Sequence, residues 1–138
     1  MAAEFGDRGN IPNGLGAMDG KHILIKPPLK SGSLYYNYKE TFSIVLLVVV
    51  VADLRVIYAD GGTNGRVSDK DDWNKCSLKQ RLDAKTLNIP DPSPLPGTQE
   101  FPYAFVGDEG FTLSTKLMMP CPNGLLRRRK DRRIFNYR

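Results

Sequence analysis

The chain has 138 residues, 41% of them hydrophobic and 25% charged, which allows one domain with a core and is ordinary for a globular protein. Its net charge of +5 leans toward a polyanionic partner, yet many basic proteins bind no nucleic acid. Cys76 and Cys121 lie far apart, with no CxxC and no Cys/His cluster, so composition argues against a zinc site and fits a reducing setting.

The start, "MAAEFGDRGN", has no apolar core of a signal peptide. Residues 1–15 read as loop, with Gly6, Gly9, Pro12, Asn13 and Gly14 scattered through them. "KHILIK" (Lys21 to Lys26) is a short first strand, stopped by "PPLKSG". "SLYYNYKE" (Ser33 to Glu40) is a tyrosine-rich connector. Phe42 to Ala52 contains the longest apolar run, far short of the roughly 20 residues of a membrane span. Its β-branched content predicts a strand buried on both faces. "DLR" (Asp53 to Arg55) turns it into a third strand, Val56 to Gly62, making a hairpin. The glycines of Gly61 to Gly65 end that strand.

One helix is expected over Ser68 to Ala84, with Ser68 as N-cap and Asp69, Asp71 and Asp72 in the first turn. Trp73, Cys76 and Leu82 would share a face, with Leu78 on its flank. Asn88 to Pro102 carries five prolines and reads as loop. Tyr103 to Phe111 is a short apolar strand, and Ser114 to Met119 a helical turn. The tail, Arg127 to Arg138, is basic and then aromatic, and is expected to be irregular. The order β, β, β, α, loop, β suits the opening of a ribonuclease-H-like fold, and other α/β folds share it.

Three carboxylates sit at element edges beside glycines: Asp19 in "MDGK", Asp69 in "GRVSDKDDW" and Asp108 in "VGDEGF". If the strands before Asp19 and Asp108 are neighbours, the two acids can meet, and such a pair needs a cation to persist. Oxygen donors of this kind suit Mg²⁺ or Mn²⁺, which drive phosphodiester hydrolysis in paired-metal sites. The plainer alternatives are a turn for Asp19, a helix-dipole partner for Asp69 and a solvated face for Asp71 and Asp72. His22, the single histidine, reads either as a contact near Asp19 or as a satisfied strand histidine. The tyrosines could stack on bases or cover a core edge, and "RRRKDRR" could hold phosphates, direct nuclear import or be merely solvated.

The blocks "IPNGLGAMDGKHILIKPP", "SGSLYYNYKETFSIVLLVVVVADLRVIYADGG", "NGRVSDKDDW", "PYAFVGDEGF" and "RRIFNYR", in this order, span nearly the whole chain. Together they resemble the DDE endonuclease domain of PIF/Harbinger transposases, and in pattern the domesticated Harbinger transposase-derived nucleases of animals. The resemblance implies an α/β, ribonuclease-H-like mixed sheet with flanking helices that cuts DNA with a divalent metal, Mg²⁺ or Mn²⁺. Asp19 matches the family's first catalytic acid and Asp108 its second, and Asp69 matches an acid of a further block; all three would hold metal. DNA, a Myb-like DNA-binding protein and a location in the nucleus, or also the cytoplasm, are implied as well, and no membrane.

The family's final Glu follows the block matched by "FNYR", where this chain stops at Arg138. The expectation is therefore a partial domain over 1–138, incomplete at its C-terminus and weak or inactive in cutting. Two competing expectations are a non-catalytic module that binds DNA or protein through Arg127 to Arg133, and a fragment without a stable fold.

Overall fold

The computed structural model describes residues 6, 11–95, 97, 99–126 and 129–137. Its strands are β1 (Gly14–Leu24), β2 (Ser43–Val50), β3 (Val56–Asn64), β4 (Ser93–Pro94), β5 (Glu100–Phe101), β6 (Ala104–Val106) and β7 (Leu117–Met118). The helices are α1 (Asp69–Lys75), α2 (Ser77–Asp83) and α3 (Lys130–Tyr137), with a 3-10 turn at Asn123–Leu125. A mixed five-stranded sheet has the order β3-β2-β1-β6-β7. The β1–β6 and β6–β7 pairs are parallel. Among the described residues no helix is long and apolar enough to cross a membrane.

The chain forms two compact units. One comprises Asp19–Val49 and Val56–Asn88. Strand β2 alternates there: Val45, Leu47 and Val49 are wholly buried, whereas Ile44, Leu46 and Val48 are half-buried. The expectation of two fully buried faces is thus corrected: side chains alternate between the faces of the strand, and only one of these faces is wholly buried. Each fully buried aliphatic side chain contributes about 1.5–3 kcal/mol. The hairpin forms as expected: in the turn, Val51 N–H donates to Arg55 O at 3.0 Å and Leu54 N–H to Val51 O at 2.8 Å. Leu54 pays for this tightness with a left-handed φ of 65°.

Ser68 caps α1, its Oγ accepting Asp71 N–H at 3.2 Å. The single expected helix is two, broken at Cys76, whose ψ of 152° is extended. The break is stabilised by partners the sequence hides. Cys76 Sγ accepts Lys79 N–H at 3.4 Å, and Tyr58 Oη of β3 accepts Leu78 N–H at 3.3 Å. These satisfy donors that a new helix start leaves open. Trp73, Cys76, Leu78 and Leu82 are all buried, and so is Asp72, which was expected on a solvated face. Burial pushes the Cys76 thiol up, while Cys121 is half-exposed. A disulfide reagent at neutral pH should therefore label Cys121 quickly and Cys76 slowly; two equally fast thiols would contradict this packing.

The other unit comprises Met1–Met18, Val50–Arg55 and Ile89–Arg138. Two expectations are corrected by one residue. The proline-rich loop contains the β4–β5 pair, and the chain is already extended at Gly14. Asn13 explains both, since its Nδ2 donates to Ser93 O at 3.1 Å and to Phe101 O at 2.9 Å. Its carbonyl accepts Ala104 N–H at 3.1 Å. The strand expected over Tyr103 to Phe111 is regular only as β6. Ser114 to Met119 gives β7 and not a helical turn, because Leu117, with no exposed surface, pairs with Phe105. The basic tail, expected to be irregular, holds α3. Asn136 of α3 donates to Cys121 O at 2.8 Å and accepts Cys121 N–H at 2.7 Å, which anchors the helix.

Candidate functional site

Asp19 lies inside β1, so the turn reading of it falls. Alternation along the strand buries Met18 to 4% and turns Asp19 outward. Asp19 has no hydrogen bond or ion pair among the described residues and is exposed.

Asp69 opens α1 and shares a helix face with Asp72, Trp73 and Cys76, all three of them buried. This face carries Asp69 inward. A Cβ placed on Gly20 would stand 2.7 Å from Asp69 Cγ and collide with Oδ1. The carboxylate therefore lies directly against the β1 backbone, with Oδ1 buried. Adjacent strand residues point to opposite faces. Asp69 thus reaches the strand that carries Asp19, but on the face opposite the Asp19 side chain.

Asp108 belongs to the other unit and follows β6. It is exposed, and its Oδ1 accepts Gly110 N–H at 2.8 Å, so it forms a side-chain-closed turn. Gly107 before it is buried, and a Cβ there would come within 2.8 Å of the Phe111 ring. Among the described residues, no three Asp, Glu, His or Cys side chains form a group that could hold a metal ion.

His22 is the satisfied strand histidine. Its Nδ1 lies 2.8 Å from Ser43 Oγ. Ser43 is wholly buried, and its Oγ also accepts Asn37 Nδ2–H at 2.7 Å. The Ser43 hydroxyl thus joins His22 to Asn37. Asn37 Oδ1 meanwhile accepts Lys39 N–H at 2.9 Å and Thr41 N–H at 3.2 Å, which closes the tyrosine-rich loop. The tyrosines do not cover a core edge throughout: Tyr38 is 79% exposed, its ring touched by His22 and Lys39. Reading residues one at a time missed the Ser43–Asn37 pair. The available signal was a serine opening an otherwise apolar strand, since a buried hydroxyl needs partners.

Of the basic stretch, Arg127 and Arg128 lie outside the described residues. The Arg129 guanidinium is spent on Asp131, at 2.8 Å, and holds that carboxyl at about 2. Lys130 and Arg133 are exposed on α3. An apolar groove of about 600 Å³, lined by Leu95, Phe101, Val106, Met118, Ile134 and Phe135, contains none of the three candidate carboxylates.

A family model described as DDE superfamily endonuclease matches residues 18–138. Neither curated proteins nor solved structures gave a match.

Proposed function

The chain belongs to the DDE superfamily endonucleases, and from that membership we propose divalent-metal-dependent hydrolysis of DNA phosphodiester bonds, of the Harbinger type and in the nucleus. The observation that carries the proposal is Asp19, an exposed carboxylate without a partner among the described residues, on a strand whose neighbouring side chain is buried. Asp19 and Asp108 are the proposed catalytic acids and metal ligands. Both offer only oxygen and both are exposed, which suits a hard cation that keeps several waters. Held by these carboxylates, Mg²⁺ or Mn²⁺ would supply an activated water and offset charge on the phosphate. The chain's own part is orientation: the strand fixes Asp19, and Gly110 N–H holds one oxygen of Asp108 and leaves the other available.

Mn²⁺ titration of the full chain tests this. Asp19→Asn and Asp108→Asn should each weaken binding at least about tenfold, and any Mn²⁺-dependent nicking of supercoiled DNA should disappear with them. A wild type that binds no Mn²⁺, or two variants that bind it unchanged, would sink the proposal.

A second reading, a non-catalytic DNA-binding module, draws on the exposed Lys130 and Arg133 of α3. Salt-dependent DNA binding that needs no metal and survives Asp19→Asn favours it.

A further inference from the structure

We propose that Asp69 is a positioning residue and not a metal ligand: its carboxylate, wedged against Gly20 from the α1 side, sets β1 at Asp19, and a hydrogen-bond node on Ser43 backs it. This rests on the metal reading for its binding readout alone.

Three observations converge on it. The first is the close approach of Asp69 to Gly20, which leaves no room for a side chain at that strand position. A ligand would instead need free access to a cation and its waters. The second is direction. Asp69 shares the inward helix face with Trp73 and Cys76, and Asp19 points from the opposite face of β1. The two carboxylates are separated by the strand itself.

The third is the Ser43 node. Ser43 Oγ bonds to His22, two residues beyond Gly20 on β1. Ser43 O accepts Gly65 N–H at 2.8 Å, four residues ahead of Asp69. Ser43 N–H donates to Tyr35 O at 2.9 Å, and Asn37 Nδ2–H donates to the Ser43 hydroxyl at 2.7 Å. One buried residue therefore ties the strand bearing Asp19 to the connection that delivers Asp69. Outer groups of this kind orient a metal's ligands without touching the metal.

Size and charge can be separated experimentally. Asp69→Asn keeps the wedge and removes the anionic donor; Asp69→Ala removes the wedge. Measured on the full chain are the thermal midpoint, Mn²⁺ affinity, and the backbone amide resonances of residues 19–21. Asp69→Asn should leave those resonances in place and keep Mn²⁺ affinity within a few-fold of wild type. Asp69→Ala should shift them and lower the affinity by about tenfold or more. Asp69→Asn losing Mn²⁺ as fully as Asp19→Asn, at an unchanged midpoint, would make Asp69 a ligand and overturn the proposal. Unmoved resonances at 19–21 in Asp69→Ala would overturn it too. If the wild type binds no Mn²⁺, the metal reading falls by itself and the resonances alone decide the positioning role.

Discussion

Gly65→Ala should destabilise the protein by about 3 kcal/mol and lower its thermal midpoint by about 10 °C. Gly65 is buried between β3 and α1, and its N–H donates to Ser43 O at 2.8 Å. A Cβ there would sit 2.5 Å from Ser43 O, 2.9 Å from Tyr35 O and in collision with Ser43 Oγ. The two carbonyls are backbone, so no rotamer change relieves them. Tyr35 O is also already engaged by Ser43 N–H, so moving it breaks a second bond. The glycine is required for space and not for a left-handed turn, since its φ is not among the positive values. Gly61→Ala is the matched control. A Cβ at Gly61 would meet chiefly Leu46 Cδ1, at 3.2 Å, the far end of a flexible side chain. Its cost should stay below about 1 kcal/mol. Melting curves by far-ultraviolet circular dichroism decide between them, and equal midpoints for the two variants would refute the crowding at Gly65.

Periodicity reveals what repeats and hides what depends on a partner. The apolar run after Phe42 announces β2 by composition, and Asp53 to Arg55 announces its turn, because both signals are local. The Ser68 cap is legible for the same reason. The break at Cys76 is not, because one of its stabilising partners is the hydroxyl of Tyr58, which accepts Leu78 N–H from 20 residues away in sequence. The β4–β5 pair inside a proline-rich stretch depends on the amide of Asn13, 80 and 88 residues distant. The candidate site follows the same rule. Asp19, Asp69 and Asp108 could be singled out as acids beside glycines, but which face of β1 each addresses is a fact of packing. Gly20 beside Asp19 looked like half of a turn dipeptide, and it is the space into which Asp69 fits.

Trp73→Ala should cost about 3–5 kcal/mol, the range for deleting a buried large aromatic side chain. Trp73 is 2% exposed and lies on the inward face of α1. That helix has only seven residues, so it gains little from its own hydrogen bonds and depends on packing. The chain has one tryptophan, so the loss should be followed by circular dichroism and not by fluorescence. Trp73→Phe, which keeps a ring in the site, should retain most of the stability and covers the case in which the alanine variant fails to fold. The site makes the substitution more informative than a core deletion elsewhere. Trp73 stands one helical turn after Asp69 on the same face, so the side chain that anchors α1 also holds the wedge against Gly20. Leu82 is comparably buried, at 7%, but lies in α2 beyond the break at Cys76. Leu82→Ala should cost about 2–3 kcal/mol and leave the amide resonances of residues 19–21 unchanged. In Trp73→Phe those resonances should move although less stability is lost. Resonances that instead tracked stability alone across the two variants would mean that α1 carries no specific geometry to Asp19.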